Sequence, residues 1–79
     1  MSDKQQFETV TDEELKRIVN GFNARINSLG IKKNSKTFYR EQATFMSGAL
    51  TALGKVHQGL MIVVGTRRSV IEEYKSIIQ

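Results

Sequence analysis

Residues 38–56, FYREQATFMSGALTALGKV, decide the fold, because they are the longest segment of the chain that reads as one helix. Apolar side chains recur along them at helical spacing in two adjoining stripes. The first stripe consists of Phe38, Phe45, Ala49, Leu53 and Val56, and the second of Tyr39, Ala43, Met46 and Leu50. A helix that is apolar around so much of its circumference must be covered on two sides. The sequence therefore predicts a central helix, continuing to His57, with helices of this chain or of a second copy packed around it.

The same segment is rich in small residues. Gly48 and Ala52 lie four positions apart, so one side of the helix is nearly bare and another helix can approach it closely. The small residues either pack within the monomer or form a self-association surface. We favour self-association, because three apolar faces and an apolar C-terminus exceed what 79 residues can cover, and large exposed patches mark partners. The predicted interface consists of Phe45, Gly48, Ala49, Ala52, Leu53 and Val56.

Length and composition bound the class of protein. The 79 residues predict one domain, and a chain this short buries only about 60% of its unfolded surface. The absence of cysteine and the single histidine exclude disulfides, cysteine-based metal sites and a histidine cluster. The longest apolar run, 60–64, is far below the roughly 20 residues of a membrane span. The first ten residues lack the apolar core of a signal peptide, so a cytoplasmic protein is expected.

Charge is distributed unevenly along the chain. The net charge is +4, but residues 1–14 carry five acids and one lysine, whereas residues 15–68 carry ten bases and one acid. This asymmetry indicates an anionic partner, or an acidic N-terminus that folds back on a basic body. A solvated surface with ordinary scatter of charge explains it equally well.

Local signals place the first helix. Residues 1–10 read as a flexible lead that docks through Phe7. Thr11 and Glu14 have the spacing of a capping box, which predicts a helix from Asp12 to about Leu29. Gly30 is the expected left-handed stop. Residues 11–79 are predicted to form a single helical domain.

The short connection at residues 31–37 predicts an antiparallel hairpin of the first two helices. It begins a basic cluster with one aromatic residue, a composition that suits contact with a nucleic-acid backbone and stacking on a base. A solvated loop that keeps the protein soluble is the alternative. A helix–turn–helix reader is disfavoured, because the connection is too long and the next helix too apolar. The cluster consists of Lys32, Lys33, Lys36, Tyr39 and Arg40.

The last third of the chain has two interpretations. A single helix after a C-cap at Gly59 is favoured, although Arg67 interrupts its apolar stripe. Alternatively, residues 60–64 form a short strand, because β-branched residues cluster there, and a helix starts at Ser69 with Glu72 completing a capping box.

Residues 65–69 are the stretch of the sequence richest in groups that can bind a ligand. If a helix begins there, its free N–H groups, two hydroxyls and two guanidinium groups converge on an anion such as phosphate. A solvated turn or charged helix face is the alternative. The predicted ligand or partner site consists of Gly65, Thr66, Arg67, Arg68 and Ser69.

No pattern of an enzyme is present. His57 has no acid or nucleophile at a suitable spacing and reads as a cation at a helix end. Nucleophile elbows, phosphate-binding glycine loops and metal-ligand spacings do not occur in the sequence. We therefore predict no catalytic residue, no metal site and no cofactor.

Taken together, the sequence predicts an all-α protein, in which a helical hairpin and a C-terminal helix form a small bundle around a central helix, completed by oligomerisation. With the small-residue segment FMSGALTAL at its centre, this short basic chain resembles accessory proteins encoded by bacteriophages and other mobile elements. That resemblance implies action by binding, such as blocking a protein or sequestering a small signal molecule. The leading hypothesis is a self-associating binding protein with a basic surface for an anionic protein or a nucleotide-like ligand. The alternative is a nucleic-acid-binding regulator.

Overall fold

The computed structural model describes residues 8–78 and shows an all-α bundle, as the sequence predicts. Each helix packs on two others, α1 on α2 and α4, and α3 on α2 and α4. Helix α2 is thus covered by α1 on one side and by α3 with β2 on another. In chain order, the elements are β1 (Glu8–Thr9), α1 (Asp12–Leu29), α2 (Lys36–Leu53), β2 (Lys55–Val56), α3 (Gln58–Gly65) and α4 (Val70–Ile78).

Helix α1 has the predicted bounds and both predicted caps. The Thr11 hydroxyl accepts the N–H of Glu14 at 3.1 Å, and the Glu14 carboxylate accepts the N–H of Thr11 at 3.0 Å. At the other end Gly30 has φ 66°, and the N–H of Ile31 donates to the carbonyl of Ile26 at 3.1 Å. Helix ends with these bonds are Schellman motifs. The sequence signals at both ends are confirmed.

The core forms where α1 meets α2. Phe22 is fully buried, and its ring lies 5.4 Å from that of Phe38 and 5.6 Å from that of Phe45, all centroid to centroid. Aromatic pairs at these separations add to the stabilisation that burial provides. The deeply buried residues of α2 are Phe38, Gln42 and Met46, spaced four apart. The centre of its buried face is therefore a line that includes a glutamine, and of the first predicted stripe only Phe38 is fully buried.

Helix α2 ends earlier than predicted. Gly54, with φ 65°, is its C-cap, so the expectation that the helix reaches His57 and that Gly59 caps it is wrong. The chain after Gly54 is extended, and Lys55 and Val56 pair in parallel with Glu8 and Thr9. This pairing between distant segments ends the helix at the first of two available glycines.

His57 begins a helix instead of ending one. Its backbone is extended, and its Nδ1 accepts the N–H of Leu60 at 3.3 Å as the N-cap of α3. The prediction that His57 lies at the end of the central helix is wrong, because it follows β2 and caps α3.

Both interpretations of the last third need correction. Residues 60–64 are helical, so the strand is wrong, and the helix breaks at 66–69, so a single helix is also wrong. The break occurs because Arg67 adopts a left-handed conformation, φ 58°, that a helix cannot continue through. The second interpretation placed the next helix start correctly, because Ser69 Oγ accepts the N–H of Glu72 at 3.4 Å.

The predicted lead spans the boundary of the described part. Residues 1–7, with Phe7 and the docking predicted for it, lie outside the described residues. Glu8 and Thr9 pair with β2, and the N–H of Val10 donates to the carbonyl of Val56 at 2.9 Å. Val10 is buried in the core. Residues 8–10 thus belong to the folded body.

One ion pair joins α1 to β2 and predicts an acid-sensitive contribution to stability. Lys55 Nζ lies 2.9 Å from both carboxylate oxygens of Glu14. The hydrogen bond from the Thr11 backbone N–H and that from the Lys55 ammonium group lower the pKa of Glu14 from 4.5 to about 2. Because the folded-state pKa is the lower one, the contribution is present above pH 4.5 and is lost as the pH falls through about 2.

We expect Glu14→Gln to destabilise the protein at about pH 6 and to have a much smaller effect near pH 2, since glutamine keeps the capping box but not the ion pair. Urea unfolding at both pH values measures this. The control is Glu13→Gln, which changes an exposed acid in the same turn. Equal destabilisation by Glu14→Gln at both pH values would contradict the assignment.

Candidate functional site

Two segments that the sequence singled out separately meet in one polar cleft. The cleft is open, has a volume of about 480 Å³, and lies between the hairpin connection and the α3–α4 turn. The structure thus brings Tyr39 of the basic cluster to Arg67, Arg68 and Ser69 of the predicted ligand site. The residues that line the cleft are Asn34, Tyr39, Arg67, Arg68, Ser69, Glu72 and Glu73.

The hairpin side of the cleft is held by local hydrogen bonds. Ser35 caps α2, with its Oγ accepting the N–H of Phe38 at 3.1 Å. Asn34 has φ 65°, a conformation that asparagine tolerates better than most residues. Its Oδ1 accepts the hydroxyl proton of Tyr39 at 3.0 Å, and the Tyr39 ring packs edge-on against Phe38. These contacts fix the aromatic wall of the cleft.

The other side of the cleft is the end of α3. The N–H of Arg67 donates to the carbonyl of Val64 at 3.2 Å, and the N–H of Arg68 donates to that of Val63 at 2.9 Å. This is a Schellman motif with Arg67 at the left-handed position, which glycine usually occupies. Thr66 is turned back onto α3, because its hydroxyl donates to the carbonyl of Ile62 at 2.8 Å. Gly65 is the last residue of α3 and is exposed.

A buried glutamine fixes this turn to α2. Gln42 is 1% exposed, and its side-chain Nε2 donates to the carbonyl of Arg68 at 2.8 Å. Its Oε1 accepts the N–H of Val70, also at 2.8 Å. Both ends of one amide therefore hold the α3–α4 turn. Sequence reasoning missed Gln42, although its place four residues from both Phe38 and Met46 is a polar interruption of an apolar line.

The charges in the cleft are of both signs. Arg68 pairs with Glu73 at 3.3 Å, with the arginine side chain 61% exposed. Arg67 is exposed and forms no ion pair with any residue of the described range. Three N–H groups at the start of α4 are already bonded, that of Val70 to Gln42 and those of Glu72 and Glu73 to Ser69. An anion in the cleft would therefore be bound by guanidinium groups more than by the helix terminus.

The rest of the basic cluster surrounds the hairpin connection. All four of its cations are exposed. They do not line the cleft, but they come from the same connection and first helical turns as Asn34 and Tyr39. They make the N-terminal end of α2 strongly basic. The four are Lys32, Lys33, Lys36 and Arg40.

The residues predicted to form an interface divide into two groups. Phe45 is partly buried against Phe22, and Ala49 and Val56 are also partly buried. Gly48, Ala52 and Leu53 are exposed. A Cβ built on Gly48 meets nothing within 4 Å in the described part of the chain. Close packing within the monomer therefore does not explain the glycine.

An apolar groove lies on the C-terminal half of α2, next to α3. Its volume is about 320 Å³. Met46 and Leu60, both buried, form part of its wall, whereas Met61 also lines it and is 57% exposed. Leu53 and Ile62 are exposed nearby in sequence. The C-terminal half of α2 thus combines a groove with open small residues.

The described residues and the relationships of the chain place few further constraints on its function. Within residues 8–78, no group of three or more acidic or histidine side chains is arranged to hold a metal ion. No helix of that range has the length and apolar content needed to cross a bilayer. Comparison of the chain with protein-family models, curated proteins and solved structures finds no match. The function must therefore be argued from the residues themselves.

The Gln42 clamp, defined as the two hydrogen bonds from its amide to Arg68 and Val70, can be tested directly. We expect Gln42→Leu to reduce the free energy of unfolding by about 3 kcal/mol, because it leaves two polar backbone groups without partners. The control is Gln58→Leu, the same change at an exposed position, with an expected effect within about 0.5 kcal/mol. Urea unfolding measures both. Equal effects would show that the clamp does not stabilise the turn.

Proposed function

We propose that this chain is a non-enzymatic binding protein that self-associates through the C-terminal half of α2 and presents a basic surface to an anionic partner. One observation supports this most. Helix α2 has a basic N-terminal end beside the polar cleft, and its C-terminal half carries an apolar groove and open small residues. Two surfaces of different chemistry on one helix suit a protein that assembles with copies of itself and binds something else.

The self-association surface has both parts that a symmetric interface needs. In a two-fold dimer the same patch must receive and project side chains. The groove between α2 and α3 receives side chains, whereas the exposed Gly48 and Ala52 do not line it and leave another side of α2 open to close approach. Met61, 57% exposed at the edge of that groove, is the side chain that projects. The second copy is therefore the occupant that we assign to the groove.

The basic surface favours an anionic partner through charge. Residues 15–68 carry ten bases and one acid, and four of the bases are exposed around the hairpin connection. A surface of one sign steers oppositely charged partners toward it and excludes partners of the same sign. Either an anionic protein or a nucleotide-like ligand fits this charge. Action by occupation of a partner or sequestration of a ligand is consistent with it.

The second candidate function is nucleic-acid binding by the hairpin connection. Its support is the exposure of Lys32, Lys33, Lys36 and Arg40 in one short segment. Against it, Tyr39 is partly buried, its hydroxyl is bonded to Asn34 and its ring packs on Phe38, so little of it is available for stacking on a base. Nucleic-acid binding is therefore the weaker candidate.

We expect the wild-type protein to be a dimer or larger at micromolar concentration, as measured by sedimentation equilibrium or light scattering. Met61→Glu should weaken self-association at least about tenfold, because it places a charge in an apolar interface. The matched control is Leu29→Glu, which charges a similarly exposed apolar residue at the end of α1. A monomeric wild type, or equal effects of the two variants, would contradict the proposed interface.

The nucleic-acid alternative has its own signature. If four cations of the connection contact phosphates, affinity for duplex DNA should fall about a hundredfold between roughly 50 and 200 mM salt. Replacing Lys32 and Lys33 with alanine should weaken binding, whereas replacing Lys16 and Arg17 on α1 should not. Electrophoretic mobility shift at several salt concentrations measures this. No shift of DNA or RNA at low salt would eliminate the alternative.

A further inference from the structure

We propose that the polar cleft is a binding site for a small phosphate ester of nucleotide size, in which Arg67 binds the phosphate. This inference rests on the proposed binding function, since it specifies the anionic partner. It follows from the backbone conformation of Arg67, the hydrogen bonds that hold it, and the groups that face it.

Arg67 occupies a position where the local backbone favours glycine. Three helices of the described chain end in a left-handed residue, at Gly30 with φ 66°, at Gly54 with φ 65° and at Arg67 with φ 58°. Glycine adopts this conformation at no steric cost, whereas a residue with a Cβ is strained there. The chain uses glycine at two of the three ends. At the third it has arginine, and that is the end that lines a cleft.

The strained backbone is held in place on both sides. Bonds from the N–H groups of Arg67 and Arg68 to α3 hold the turn from one side, and the Gln42 clamp holds it from the other. Backbone outliers that persist because their surroundings fix them are concentrated at functional sites. A fixed backbone also reduces the entropy that a binding residue loses when its ligand arrives. Arg67 is thus presented on a rigid turn.

Arg67 is also the available cation of the cleft. Arg68 forms an ion pair with Glu73, whereas Arg67 is exposed and forms no ion pair in the described part of the chain. A guanidinium group binds the oxygens of a phosphate with two parallel hydrogen bonds. The phosphate is therefore assigned to Arg67, and Arg68 with Glu73 forms the adjoining wall.

The remaining groups define the other end of the ligand. Glu72 and Glu73 are acceptors, and Asn34 adds a further polar group. A bare anion would be repelled by the two carboxylates, so the ligand must also carry hydrogen-bond donors, such as sugar hydroxyls or the N–H groups of a base. The cleft volume of about 480 Å³ exceeds the needs of phosphate alone and lies within the roughly 300–1,000 Å³ range of small-molecule sites.

The basic residues around the cleft favour one of two classes of ligand that carry both an anionic group and hydrogen-bond donors. A free amino acid also has an anion beside donors, but the charges of its carboxylate and ammonium groups cancel. A phosphate ester keeps net negative charge, which complements the four exposed cations of the hairpin connection. Charge complementarity therefore favours the phosphate ester.

The test uses the whole chain and titrates it with a purine nucleoside monophosphate, ribose 5-phosphate and inorganic phosphate, by calorimetry or by amide chemical shifts. We expect both esters to bind with shifts at residues 66–73, and inorganic phosphate to bind at least tenfold more weakly. Preference for the nucleotide over the sugar phosphate would assign a base to the donor-rich end. Equal affinity for the two esters would assign the sugar to that end of the ligand. Binding of inorganic phosphate as tight as that of either ester, or no binding of any probe, would overturn the proposal.

Arg67→Gly separates a binding role from a structural one. It removes the guanidinium group and supplies the residue that the backbone favours, so binding should fall at least tenfold while the melting temperature rises by a few degrees. Arg67→Lys should lose part of the affinity, because lysine lacks the bidentate geometry. Arg17→Ala, at an exposed position on α1, should change neither property. A lower melting temperature for Arg67→Gly, or unchanged affinity, would overturn the assignment.

Failure here is distinguishable from failure of the proposed function. Self-association depends on the groove and on Met61, and the cleft residues take no part in it. A wild type that self-associates but binds no phosphate ester would refute the inference and leave the assembly in place. A monomeric protein that binds the esters through Arg67 would refute self-association and support the inference.

Discussion

The two hydrogen bonds of the Gln42 amide are the contact on which the arrangement of the helices most depends. They join the middle of α2 to the carbonyl of Arg68 and the N–H of Val70, where the chain turns from α3 into α4. Helices of eight and nine residues, such as α3 and α4, are too short to be stable alone and need tertiary contacts to fix them. Because α4 packs back on α1, fixing its start closes the ring of four helices.

The same contact explains why the cleft is a formed surface. Tyr39 lies on α2 one turn before Gln42, and Arg67 directly precedes Arg68, whose carbonyl Gln42 holds. The glutamine therefore sets the distance between the two walls. A hydrophobic residue at position 42 would continue the apolar line from Phe38 to Met46 but could not satisfy two backbone groups. The protein thus has a polar group at the centre of its core because the turn requires one.

Sequence predicted the elements whose signals are local. Both ends of α1 are determined by hydrogen bonds within a few residues, at Thr11, Glu14 and Gly30. The predicted ends are therefore confirmed. The end of α2 depended on which of Gly54 and Gly59 stops the helix, and the answer comes from pairing with Glu8 and Thr9, far away in the sequence. The cleft depends on distant contacts in the same way. Its basic residues were recognisable by type, but no local pattern shows that Tyr39 and Arg67 face one space or that Gln42 joins them.

Helix α3 is the element through which the two proposed surfaces could affect each other. Its N-terminal part, with Leu60 and Met61, lines the apolar groove, and the turn that follows it carries Arg67 into the polar cleft. Eight residues span only about 12 Å, so the two surfaces are close. Coupling between them nevertheless requires α3 to move, and such a shift would strain the bonds of the Gln42 clamp just beyond its end. Energetic coupling needs an element with two arrangements, and the clamp holds α3 in one arrangement. The groove and the cleft are therefore expected to act as independent surfaces of a rigid body.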